Sequence, residues 1–159
     1  MPQSLHHTAA IRKDTASRRS IAPVTEALRI VLNETYQLIL DTQSCHWNVT
    51  GPQFYSLHEM TEAQYSDMFR AVDLLAERIR TLGEPAYVDL RGRNSAVVTD
   101  QSTDDMLHGL LQGHEALSHQ LHALVRAADA ADDPVTADLA TNRAAFHDTA
   151  AWILRATTS

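Results

Sequence analysis

Five side chains carry most of the chemistry this sequence can do. Read at 3.6 residues per turn, the stretch after His46-Trp47-Asn48-Val49-Thr50-Gly51-Pro52 sets His58, Glu62, Asp73 and Glu77 within about a 100° arc of one helix. His46 precedes them at the end of another helical run. Imidazole and carboxylate together suit Fe(II), Mn(II) or Zn(II), and Fe(II) sites commonly mix the two.

His58 and Glu62 are i, i+4 neighbours, as are Asp73 and Glu77, so each pair can serve one ion. Glu62 and Asp73 lie about 16 Å apart along a helix, which prevents the pairs from sharing a metal within one chain. The pairs His58/Glu77 and Glu62/Asp73 nevertheless share one midpoint, between residues 67 and 68. An antiparallel copy about a two-fold axis there sets His58 opposite the partner's Glu77, and Glu62 opposite the partner's Asp73. The row then becomes two equivalent sites, each built from both chains. A plainer account also exists: acids at i, i+4 are ordinary on solvated helices, and Arg78 or Arg80 can pair with Glu77.

The elements that must position this row are helical. At 159 residues with 44% hydrophobic content, 5 Gly and 5 Pro, the chain suits one domain with a proper core. Residues 1–22 lack hydrophobic periodicity, so a mobile tail is expected there, with Pro23 as the first residue of a helix. From Val24, the positions Leu28, Val31, Leu32, Leu38 and Ile39 recur at helical spacing to about Val49, and His46 shares their inward face. Gly51-Pro52 ends the run.

A second helix is expected from about Pro52 to Leu82, with Gly83 as its stop. About twenty residues follow, Glu84 to Thr103, and Leu90, Val97 and Val98 could anchor a short helix there. Ser102-Thr103-Asp104-Asp105 is a good start for a third helix, and Asp133-Pro134 for a fourth carrying Leu139, Phe146, Ala150 and Ile153 inward. Short turns near 50–52 and 131–133, with a long crossing between helices 2 and 3, describe an all-α, ferritin-like four-helix bundle over residues 23–159.

Composition excludes several classes. Glu34 and Asp41 interrupt the best apolar run, so no membrane span is expected, and the single Cys45 rules out an internal disulfide. Arg18-Arg19 resembles an export signal, but Glu26 and Arg29 stand where its apolar region should be; a cytoplasmic protein is expected. The net charge of −7 divides unevenly: residues 1–23 carry Arg12, Lys13, Arg18 and Arg19 against Asp14, and the rest is strongly acidic.

The stretch resembles the Dps family, the starvation-induced miniferritins, some of which bind DNA. The matching residues are His46-Trp47-Asn48-Val49, Gly51-Pro52, Phe54, Leu57-His58, Asp73, Ala76-Glu77-Arg78-Ile79 and Leu82-Gly83. A looser match continues through Asp133, Thr136-Ala137-Asp138 and Trp152. The resemblance implies ferroxidase centres between two-fold-related subunits, with His46, His58 and Glu62 from one chain and Asp73 and Glu77 from the other. One or two irons would bind per centre. Many members carry Asp where this chain has Glu62, a longer side chain that bears on bridging geometry.

It further implies Fe(II) oxidation chiefly by hydrogen peroxide, with dioxygen as the other oxidant, and ferric mineral stored in a hollow homododecamer. Acidic pores are implied near Asp132, Asp133 and Asp138, although Asp133 is equally a helix cap and Asp138 a surface charge. The cations Arg12, Lys13, Arg18 and Arg19 could contact DNA phosphates from a flexible arm. The alternative reading is a nucleoid-compacting, DNA-binding protein with secondary or impaired ferroxidase activity. An ordinary ferritin, with its di-iron centre inside one subunit, is disfavoured because no histidine here has Glu three residues before it.

Core packing is the simpler account of Trp47 and Trp152, as burial is of Cys45. His114 falls in a leucine stripe and is expected as a hydrogen-bonded core histidine. Glu115, His119 and His122 are expected on a solvated face.

Overall fold

The computed structural model describes residues 3–91 and 101–158, with side chains described from Ile21 onward. It contains α1 (Gln3–Asn48), α2 (Phe54–Thr81), α3 (Thr103–Ala130) and α4 (Pro134–Thr157). Among the described residues no helix is long and apolar enough to cross a membrane.

The start of α1 departs from expectation. Pro23 lies inside the helix rather than at its first position, and the backbone is helical from Gln3. A proline costs the bond its missing N–H would make to the carbonyl four residues earlier, but the flanking alanines, arginines and leucines favour helix on both sides. The side chains of Arg12, Lys13, Arg18 and Arg19 lie outside the described ones.

Gly51, at φ +96°, turns the chain after α1, and Gly83, at φ +90°, does the same after α2. The Glu84 N–H reaches back across Gly83 to the Ile79 carbonyl at 3.2 Å. Residues 85–90 are not helical, and Val97 and Val98 of the expected short helix lie outside the described residues.

Ser102 and Asp105 form a reciprocal capping box on α3, satisfying two free N–H groups. Asp133 caps α4 by accepting from the Thr136 N–H at 3.0 Å, with Pro134 in the first turn. The same carboxylate takes Arg78 of α2 at 2.6 Å, so it ties the α3–α4 turn to the end of α2. Burial alone would raise its pKa; hydrogen bonds from Arg78 and Thr136 outweigh this and hold it below the ordinary carboxylate range.

The core lies between all four helices, with Leu28, Leu32, Ile39, Leu57, Met68, Leu75, Ile79, Leu107, Leu121, Leu124 and Leu154 fully enclosed. Gly113 lets α3 approach α1 closely, since a Cβ there would stand 2.6 Å from Leu38 Cδ1. On α4 the buried side differs in part from the expected one. Ala150 is buried as expected and joins Thr136, Ala140, Ala144, His147, Ala151 and Leu154, whereas Leu139 and Phe146 are half-buried and Ile153 is at the surface. Small side chains let α4 lie tightly on α3, and the bulkier ones rotate to the edge of that contact.

His114 is buried as expected, and its partner is His147: the two Nδ1 atoms are 2.9 Å apart. One ring must donate and the other accept, so the pair is built for two neutral imidazoles. Burial first, then the nearby Arg143 guanidinium, pushes the His114 pKa from 6.5 down to about 4. Burial, His114 and Arg143 push His147 to about 2. Below the unfolded value the unfolded chain takes up protons that the folded chain refuses, so stability falls with pH until each folded pKa is reached.

Urea midpoints should therefore drop between about pH 7 and about pH 5, with a slope approaching about 1.4 kcal/mol per pH unit for each histidine. The variant His147→Gln should flatten that slope. A wild-type protein whose midpoint does not change over this range would contradict the account.

Candidate metal centre

α1 stops at Asn48, which leaves the carbonyls of its last turn without helical partners. The Thr50 N–H, which would otherwise serve the His46 carbonyl, turns instead to Thr103 Oγ1 at 3.4 Å. His58 fills the gap: its Nδ1 stands 3.0 Å from the His46 carbonyl oxygen. In return, His46 Nδ1 stands 2.9 Å from the His58 carbonyl oxygen. A carbonyl only accepts, so both Nδ1 atoms carry their protons, and in the neutral form of each ring Nε2 presents the lone pair.

The two rings stack with centroids 3.7 Å apart and an interplanar angle of 17°. Tyr65 meets His46 edge-on at 5.3 Å, and Phe54 stacks on His58 at 5.2 Å. His46 is buried, His58 half-buried and Glu62 exposed, so the set opens outward through Glu62. Ligand atoms of His46, His58 and Glu62 lie within 4.8 Å of one another. Neutral imidazoles and a carboxylate at that separation fit a ferrous-type cation, and each imidazole already has the second hydrogen bond that ligating histidines commonly make.

Asp73 and Glu77 are exposed on α2 and do not belong to this group within one chain. α2 thus keeps two of its four expected ligands, His58 and Glu62, beside His46 and the other two, Asp73 and Glu77, farther along, as their spacing requires.

Asp133 is engaged in its cap and its Arg78 pair, whereas Asp132 and Asp138 are exposed. Asp132 adopts φ 56°, and Asp138 accepts from Asn142 Nδ2 at 3.2 Å. Cys45 is buried, and desolvation pushes its thiol up to about 11, too high for ready thiolate chemistry. Trp47 and Trp152, expected in the core, are 67% and 63% exposed. His46 faces inward, and the next residue on a helix is rotated about 100° away, which carries Trp47 out. Glu115 pairs with Arg155 at 2.9 Å, and His122 stands 3.9 Å from Asp148, both on the solvated face expected for them.

Two residues escaped the sequence reading. Thr61, fully buried with its Oγ1 3.3 Å from His46 Nδ1, reads in sequence as one more helix residue. His147 was findable, because it continues the Ala140/Ala144 spacing on the inner face of α4.

A family model described as a ferritin-like domain matches residues 25–159. The chain is 35% identical over 131 residues to a low temperature-induced protein of Nostoc sp., covering 78% of this chain and 73% of that one. It is 30% identical over 136 residues to the DNA protection during starvation protein of Agrobacterium fabrum, covering 79% and 84%. Among solved structures, Dps from Thermosynechococcus elongatus superposes with a TM-score of 0.83 at 25% identity, covering 91% of this chain and 95% of that one. The Dps protein of Vibrio cholerae O1, described as a member of a broad superfamily of ferritin-like diiron-carboxylate proteins, gives 0.79 at 25% identity, covering 89% and 92%. With a ferritin-like match across the bundle and Dps proteins among both sequence and structural relatives, the chain belongs to the Dps family.

Proposed function

We propose that this protein oxidises Fe(II) at centres shared between two-fold-related subunits and stores the ferric product inside a hollow dodecamer. The observation that carries the reading is the pair of locked imidazoles, both Nε2 atoms free, beside Glu62. Asp73 and Glu77, exposed farther along α2, supply the other half of each site from the partner. Fe(II) is the substrate.

Neutral His46 and His58 hold Fe(II) without adding charge. The carboxylates of Glu62, Asp73 and Glu77 favour the more highly charged ferric product and offer oxygen ligands. With hydrogen peroxide as the preferred oxidant, two Fe(II) give one electron each, the O–O bond breaks, and two protons are taken up to form two waters. One peroxide is thereby consumed without release of a one-electron radical.

Cytoplasmic iron would enter past the exposed Asp132 and Asp138, with Asp133 holding the turn between them in shape. Relatives named for DNA protection, together with Arg12, Lys13, Arg18 and Arg19, support a further role at DNA phosphates. The acidic body opposes that contact, so it would depend steeply on salt.

Crystals soaked in Fe(II) or Zn(II) and measured at the metal's absorption edge should show anomalous density between His46, His58 and Glu62, at a two-fold contact with Asp73 and Glu77 of the second chain. Density only at surface histidines such as His119 or His122 would refute the site.

A further inference from the structure

A ligating imidazole is only as well aimed as the group that holds its other nitrogen. His46 has two such groups, and the second is a side chain. Its Nδ1–H points to the His58 carbonyl at 2.9 Å and to Thr61 Oγ1 at 3.3 Å. Thr61 is fully buried one turn beyond His58. Its hydroxyl hydrogen is committed elsewhere, to the Leu57 carbonyl at 2.7 Å with the His58 carbonyl 3.0 Å away. What the hydroxyl can offer His46 is therefore a lone pair.

The two acceptors differ in what they fix. The His58 carbonyl belongs to the α2 backbone and sets the tautomer of His46. Thr61 Oγ1 is a second, longer contact at the same Nδ1 and limits rotation of the ring about its axis. Thr61 is β-branched and restricted at χ1, and its own donor bond restrains it further. The ring is thus held at Nδ1 by two acceptors, which leaves Nε2 as the nitrogen available to a cation shared with His58 and Glu62.

We infer that Thr61 is a positioning residue for the His46 ligand: its hydroxyl holds the imidazole in the plane that presents Nε2 to the cation, in the tautomer the His58 carbonyl sets. This rests on the proposed metal centre. Thr61→Val keeps the shape and the branched β-carbon but sets a methyl against the Nδ1–H. Thr61→Ser keeps the acceptor and loses only a methyl.

The test uses Zn(II) alone as the probe, by competition with a chromophoric chelator, on the full-length assembled protein at neutral pH. Thermal melting and gel filtration accompany each variant. Thr61→Val should bind zinc about tenfold more weakly than wild type, the lower end of what losing a partner behind a ligand costs. Thr61→Ser should return to within about twofold of wild type. Thr61→Ala serves in place of the valine variant should the latter not assemble, and should lose affinity to the same extent.

Equal affinity in wild type and Thr61→Val, or in wild type and Thr61→Ala where alanine is the variant used, would overturn the positioning role while leaving the metal centre standing. Equal loss in the non-hydroxyl variant and Thr61→Ser would overturn it too, since the methyl and not the hydroxyl would then matter. Failure of a different kind is separable: a wild type that binds no zinc, or a His58→Ala variant that binds it as tightly, would remove the metal centre itself and this role with it.

Discussion

His58→Ala should slow the oxidation of Fe(II) by hydrogen peroxide by about a hundredfold or more, with the assembled particle retained. The size of the effect follows from a double function. The side chain supplies one of the two free Nε2 atoms, and its Nδ1 also occupies the His46 carbonyl at the end of α1. Removing it deletes one ligand and loosens the turn that carries the other.

The fold should survive the change. His58 is half-buried at the edge of the bundle, and the net value of one such hydrogen bond is about 1 kcal/mol. Stopped-flow absorbance of the ferric product, beside gel filtration, measures both consequences. His108→Ala is the matching control, because His108 is exposed and its hydrogen bond is to the Asp104 carbonyl of its own helix, away from His46 and His58. Equal rates for wild type and His58→Ala would end the site assignment.

The extent to which this site could be read from sequence depended on how local its geometry is. His58 and Glu62 stand together because four residues bring a helix round once, and His46 faces the core because Leu28, Leu32 and Ile39 do. Caps at Ser102 and Asp133 were legible for the same reason: their partners are three residues away. The lock between His46 and His58 was not legible. It arises from an orphaned carbonyl at one helix end meeting a ring twelve residues later, and no periodicity records that.

Pro23 and α4 fail for a related reason. A proline marks a helix start only when the residues before it do not favour helix, and those here are rich in Ala and Arg. On α4, Phe146 and Ile153 suggest an inward face by size, yet close packing selected the alanines. The exposed Trp47 and Trp152 show the same limit, because hydrophobicity predicts burial only on average and the ligand at position 46 decides where position 47 points.

A second expected result follows from the shared midpoint of the ligand pairs. Glu77→Gln alone should abolish fast oxidation, as His58→Ala does, because each variant damages both centres of a two-fold dimer. Mixed in one dimer, however, they damage only one. The centre that joins the altered position 58 of one chain to the altered position 77 of the other is lost twice over. The remaining centre has a native His58 from one chain and a native Glu77 from the other. Random co-assembly makes about half of the dimers mixed, each with one working centre of two, so about a quarter of wild-type activity should return from two inactive proteins. The measurement is the initial rate of Fe(II) oxidation after the two variants are unfolded together and refolded, against each refolded alone. A centre built within one chain would give no recovery at any mixing ratio, because neither chain would hold a complete set; recovery near a quarter requires that His58 and Glu77 of different subunits face the same iron.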